Sequence, residues 1–187
     1  MSASEKERSA LFKTASALAL ITIFYNIAEG FVSVVFGIAD ETIALLGFGL
    51  DSYVEVISGI GIWHMIKRIK ENKDSAPDRF ERQALRITGT AFYILAVSLC
   101  ATSIFNLYYS HIPETTFWGV VIALVSIVFM LILIRYKIKV GRELDSQAII
   151  ADANCSKTCL YLSIILLLSS AGYEITGIMI VKNYDVI

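Results

Sequence analysis

The chain has 187 residues, 56% of them hydrophobic, and a mean hydropathy of +0.67, whereas soluble domains keep their apolar share a little under half. That excess excludes an ordinary soluble domain and places the chain in a membrane. The net charge of −1 says little as a total, and no nucleophile–base constellation or phosphate-binding glycine loop outside the apolar segments argues for an enzyme.

The N-terminal MSASEKERSALFK carries both signs of charge and runs into a long apolar stretch without a small-residue cleavage pattern. It reads as a retained cytoplasmic tail over residues 1–14. Residues 15–187 are then expected to form one transmembrane domain, with no linker to a second folded unit. A spanning helix needs roughly 20 predominantly apolar residues. Residues 15–37, 42–66, 85–108 and 117–134 meet that requirement, and a fifth segment begins at Gln147.

The fifth segment stays apolar for about 35 residues, too many for one untilted crossing, so Gly172 or Gly177 is a candidate bend. The expected fold is all-α: a polytopic membrane helix bundle of five spanning helices, with NYDVI as the start of a possible sixth. ENKDSAPDRFERQ, with Pro77 and many charges, is expected to be a solvated loop leading into the third helix.

Charge alternates between connectors. Lys67, Arg68, Lys70, Lys73, Arg79, Arg82 and Arg86 crowd the second, and Arg135, Lys137, Lys139 and Arg142 the fourth, while IADE and SHIPETT carry no Lys or Arg. By the positive-inside rule the second and fourth connectors and the tail with Lys6, Arg8 and Lys13 are cytoplasmic. The expected location is a multi-pass protein of the cell (inner) membrane. Topology accounts for the basic clusters, so no nucleic-acid partner is expected.

Two ligand pairs interrupt the apolar stretches: Asp51 and Glu55 in LLGFGLDSYVEVISG, and Cys155 and Cys159 in IIADANCSKTCLYLS. Acidic groups in a bilayer are costly, and a functional role is their default reading. Residues four apart share a helix face, so two helices can supply four donors in a tetrahedron. Zinc prefers that geometry and accepts thiolates with carboxylates, whereas the thiolates disfavour magnesium and calcium. Zinc is the expected cargo, with cadmium or iron as alternatives. Asp152 shares the face of Cys155 and is a candidate further ligand, supporting partner or proton acceptor.

Each pair also has a structural reading. Buried cysteines often pack as small apolar residues, and an Asp–Glu pair can hold helices together by hydrogen bonds. A disulfide between Cys155 and Cys159 has poor intrahelical geometry. Asn26 and Glu29, one turn apart in the first segment, can line a proton pathway or bond between helices. His64 and His111 lie near the ends of segments and are weak ligand candidates. No resident catalytic residue or cofactor is expected.

The chain resembles the cation diffusion facilitator family, whose second and fifth membrane helices each carry an H/D-x-x-x-D metal pair. The phrase around Ala44, Leu45 and Leu46 looks like the lead into the second-helix motif and puts Asp51 and Glu55 on its ligand positions. Ala151, Asp152 and Ala153 match the fifth-helix lead, and Cys155 and Cys159 fall on the ligand positions there, with Lys157 between them where a basic residue is frequent.

The resemblance implies a divalent metal transporter exporting from the cytoplasm as a homodimer, with alternating access through a site between helices two and five. It also implies a sixth helix, which NYDVI would begin, and often a cytoplasmic C-terminal domain, expected to be absent here. Glutamate at position 55 departs mildly from the family pattern. Two cysteines depart further and shift the expected preference toward softer metals. Metal binding displaces protons from such ligands, so proton antiport is expected. Two rivals remain: a non-transporting metal-binding membrane protein, and a proton-coupled carrier of small organic cations that uses Asp51 and Glu55 alone.

Overall fold

The computed structural model describes residues 3–39, 43–71, 77–109 and 117–184. They form five long helices: α1 (Ala3–Ala39), α2 (Ile43–Glu71), α3 (Pro77–Tyr109), α4 (Phe117–Glu143) and α5 (Gln147–Tyr184). Four of these are long and apolar enough to cross a membrane among the described residues: α1, α2, α4 and α5. The third expected span is helical throughout, but several side chains of α3 lie outside the described residues. Of NYDVI, expected as the start of a sixth span, Asn183 and Tyr184 belong to α5 and residues 185–187 lie outside the described residues, as do the IADE connector from residue 40 and the SHIPETT connector with His111.

Helix α2 is the centre of the bundle, packing against α1, α3 and α5, while α4 packs against α5 and α1. One apolar cluster joins the start of α1 (Ala15, Ala19), the end of α2 (Ile62, Met65, Ile66), the start of α3 (Phe80, Ala84), the end of α4 (Val140, Leu144) and the start of α5 (Ala148, Ile149). Successive helices therefore run antiparallel, and the basic ends gather at one end of the bundle. That agrees with the sidedness read from the charges. A second cluster of Leu45, Phe48, Ile122, Ala123 and Leu166 closes the opposite end.

The outer surface carries Phe24, Phe31, Ile38, Val97, Val128 and Leu168 in exposed positions. Meanwhile Asn26, Asp51, Glu55, Lys137 and Asp152 are almost fully buried. Apolar outside with charge inside is the reverse of a soluble protein. It is the arrangement expected when the surroundings are lipid and charge must be sheltered by protein.

Glycine brings α1 and α2 together. A Cβ at Gly49 would lie 3.1 Å from the Gly30 carbonyl oxygen and 2.9 Å from Val34, and one at Gly37 would lie 2.8 Å from the Leu46 nitrogen. Such small-residue contacts let membrane helices approach at backbone distance.

Helices α4 and α5 are joined by a tight turn. Ser146 N–H donates to Gly141 C=O at 2.9 Å and Asp145 N–H to Arg142 C=O at 3.2 Å, with Asp145 at φ 51°. This is the Schellman pattern, with aspartate at the left-handed position that glycine usually fills. Ser146 then caps α5, accepting from Ile149 N–H at 3.4 Å. Glu81 of α3 accepts from Ser146 Oγ at 2.8 Å and from Ala148 N–H at 3.0 Å. An acceptor at a helix N-terminus satisfies donors that the helix cannot.

Several expectations change. The tail expected over residues 1–14 is helical from Ala3, as part of α1. The loop expected across residues 71–83 is largely helix: Pro77 opens α3, where its fixed φ and missing N–H cost nothing. Gly172 and Gly177 do not break α5, which runs unbroken to Tyr184. The fourth basic connector is the final turns of α4, so its residues are helical. One of them, Lys137, is 1% exposed and is not a solvated cytoplasmic charge.

Candidate functional site

Four carboxyl side chains, Glu29, Asp51, Glu55 and Asp152, and one ammonium, Lys137, are buried among the described residues. They lie between the two apolar end clusters, on α1, α2, α4 and α5. The face of α4 that carries Lys137 is set by helical spacing. Ser126, Met130, Leu133, Lys137 and Gly141 recur three or four apart and are all buried, while Arg135, Lys139 and Arg142 point outward.

Lys137 organises the half of the site nearer the basic end. Its Nζ lies 2.8 Å from Asp152 Oδ2 and 3.6 Å from Glu55 Oε1, and donates to Ser156 Oγ at 2.8 Å. The Ser156 hydroxyl in turn donates to Glu55 Oε1. The other oxygen of Asp152 accepts from Ser58 Oγ at 2.7 Å. Because Ser58 spends its proton on Asp152, the 3.0 Å contact between Ser58 and Thr88 is donated by Thr88. Helices α2, α3, α4 and α5 are thereby tied in one network. Burying an ion costs several kcal/mol unless it is paired and hydrogen-bonded, and here Lys137 and Asp152 are both.

The other half is different. Asp51 is 2% exposed; no N–H or O–H donor reaches its carboxyl oxygens, which face only the weak thiol donor of Cys159, and Glu55 Oε2, Asn26 Oδ1 and Ser33 Oγ have no hydrogen-bond partner. Asn26 Nδ2 is occupied, donating to Thr22 C=O at 2.9 Å. Glu29 is better served: Tyr25 OH donates to Oε1 at 2.8 Å and Ser52 Oγ to Oε2 at 3.0 Å, and Tyr25 stacks on Phe129 at 3.6 Å between ring centroids. Orphaned buried oxygens are rare in proteins and call for a partner. Buried acceptors without donors make this the candidate site for a cation.

The predicted ligands are positioned as follows. Asp51 and Glu55 project from α2 into the bundle, and Cys155 and Cys159, both free thiols, project from α5 and are buried. Cys159 lies beside Asp51, and Cys155 is surrounded by Glu55, Asp152, Asp51 and Lys137. Among the described residues no three His, Cys, Asp or Glu side chains already converge in a geometry that holds a metal. Lys137 bridges Glu55 and Asp152 instead. The donor set nevertheless fits a soft divalent cargo, because no N–H or O–H donor reaches Asp51 or one Glu55 oxygen and thiols stand next to them.

Other candidates fall away from this centre. Lys157, between the two cysteines, is partly buried and donates to Asn154 Oδ1 at 2.9 Å on its own helix, and His64 is exposed. Lys137, Ser156, Ser58 and Thr88 belong to the site and escaped the sequence reading. The available signal for Lys137 was its place three turns after Ser126, on the small and apolar stripe of α4.

Helices sheathed in apolar side chains around a buried charged centre define a multi-pass membrane protein. The chain is similar, at 28% identity over 138 residues, to a protein described as an uncharacterized transporter from Methanocaldococcus jannaschii. The match covers 72% of this chain and 49% of that relative, so the chain spans about half the relative's length. No known family profile matches the chain. No solved structure matches it either.

Proposed function

We propose that the protein is a divalent metal cation transporter that carries zinc, or a soft ion such as cadmium, through the site between α2 and α5. The observation that carries this reading is Asp51: a nine-tenths-buried carboxyl that no N–H or O–H donor reaches and that faces the buried thiol of Cys159. In this reading Asp51, Glu55, Cys155 and Cys159 hold the ion, and Asp152 supports them. Thiols and carboxylates must be deprotonated to bind metal, so loading releases protons and couples export to proton uptake. Rocking of the bundle exposes the site alternately to each side, with Asn26 and Glu29 along the proton path.

Similarity to a transporter supports movement of cargo over passive metal binding, and is consistent with a role other than catalysis. The family resemblance adds the export direction, the homodimer and the divalent class of cargo. The test is cadmium and zinc flux into proteoliposomes by the wild type and by Cys155→Ala/Cys159→Ala. Loss of at least tenfold in flux by the double variant is expected. Undiminished flux excludes the thiols as ligands, and flux of organic cations without metal dependence favours the carrier that uses Asp51 and Glu55 alone.

A further inference from the structure

The mechanism above gives no role to Lys137, the largest fully buried side chain of the bundle. A buried ammonium beside a cation site is unexpected on electrostatic grounds, since it repels the cargo. Its contacts show how the two can coexist. Lys137 is held closely by Asp152, at 2.8 Å, and more loosely by Glu55, at 3.6 Å. Asp152 is otherwise satisfied by Ser58, whereas Glu55 retains one oxygen with no partner. Glu55 is therefore shared between a permanent partner and the orphaned half of the site.

We propose that the Lys137 ammonium is a tethered occupant of the cation site, and that cargo binds by exchange, taking Glu55 from Lys137 while Lys137 stays on Asp152. The inference rests on the metal-transport reading and adds a specificity device to it. A divalent ion bound to Glu55 at the usual zinc–oxygen distance of about 2 Å would lie next to the ammonium. Lys137 must then withdraw from Glu55 toward Asp152 and Ser156, which already hold it.

Two consequences follow. A monovalent ion cannot displace an ammonium of equal charge that is attached to the wall, so the exchange selects divalent cargo. The empty site also keeps a positive charge against Glu55, which lets the unloaded bundle return without a naked carboxylate pair in the membrane. Lys137 thus weakens binding and speeds turnover. A purely structural lysine would support both.

The experiment measures equilibrium cadmium binding and cadmium flux for the wild type, Lys137→Gln, Lys137→Arg and Lys137→Gln/Asp152→Asn. The double variant removes both members of the pair, so it keeps the test alive where the single variant fails to fold. Cadmium affinity is expected to rise tenfold or more in Lys137→Gln and in the double variant, with flux falling in both, and to stay at or below the wild-type value in Lys137→Arg, which keeps the cation. Wild-type binding with unchanged or weaker affinity in both glutamine variants overturns the exchange while leaving metal transport standing. Equally tight binding by the arginine and glutamine variants overturns it too. Absence of cadmium binding in every form, the wild type included, overturns the metal-transport reading and the exchange with it.

Discussion

The two halves of the buried centre contain the same kinds of groups and treat them in opposite ways. Around Lys137, both Asp152 oxygens, Ser156, Ser58 and Thr88 are partnered across four helices. On α1 and α2, five buried side-chain oxygens of Asn26, Ser33, Asp51 and Glu55 are reached by no N–H or O–H donor. Satisfied buried networks rigidify a core, whereas half-satisfied ones are costly. The first half therefore holds the bundle together, and the second carries the unsatisfied acceptors on which the proposed cation site rests. Glu55 belongs to both, with one oxygen in each.

That contrast can be broken by substitution. The largest effect on stability is expected for Asp152→Asn, which takes the closest counter-charge from Lys137. Breaking a buried pair costs roughly 3 kcal/mol or more, read as a lower unfolding temperature in detergent. A cost under about 1 kcal/mol would show that the network is not structural.

Gly49→Ala comes next. Its Cβ would meet Val34 at 2.9 Å and the Gly30 carbonyl at 3.1 Å, and overpacking of this kind costs about 2 kcal/mol. An unchanged unfolding temperature would mean that α1 and α2 can separate freely, and the orphaned oxygens between them would lose their significance.

Ser146→Ala removes the cap of α5 and the hydroxyl that Glu81 accepts from, for about 1 kcal/mol. It should lower stability and leave cadmium affinity unchanged, because the cap lies outside both halves. A tenfold loss of affinity would show that the α4–α5 turn sets the site.

The smallest effect on stability belongs to Asp51→Asn, within about 1 kcal/mol of wild type or slightly stabilising, because only a weak thiol contact with Cys159 is at stake and a buried acid is removed. Metal flux should nonetheless disappear. A large loss of stability with flux retained would reverse the roles of the two halves.

Much of this was legible in the sequence. Apolar length located the helix ends away from the basic clusters within about two residues, because a bilayer admits few other backbone structures, but stopped short of the ends of α1 to α4 on the basic side. The clustering of basic residues gave the antiparallel order, which the shared apolar cluster at that end bears out. The i, i+4 spacing placed Asp51 with Glu55 and Cys155 with Cys159 on inward faces. Charge read as solvent was the main failure. Residues 77–83 and 135–142 looked like loops because they are polar, yet their helices continue past the apolar stretch, and helix ends outside a membrane are free to be charged.

What the sequence determined by itself was the class of protein: a membrane-spanning helix bundle with acids and thiols inside, since hydropathy and helical periodicity are local properties. Only the tertiary structure decided how those groups are paired. It brought Lys137 from α4 between Glu55 of α2 and Asp152 of α5, and left Asp51 facing only the thiol of Cys159. The sign and count of charges at a point depend on which helices meet there, and packing rather than spacing along the chain chooses that.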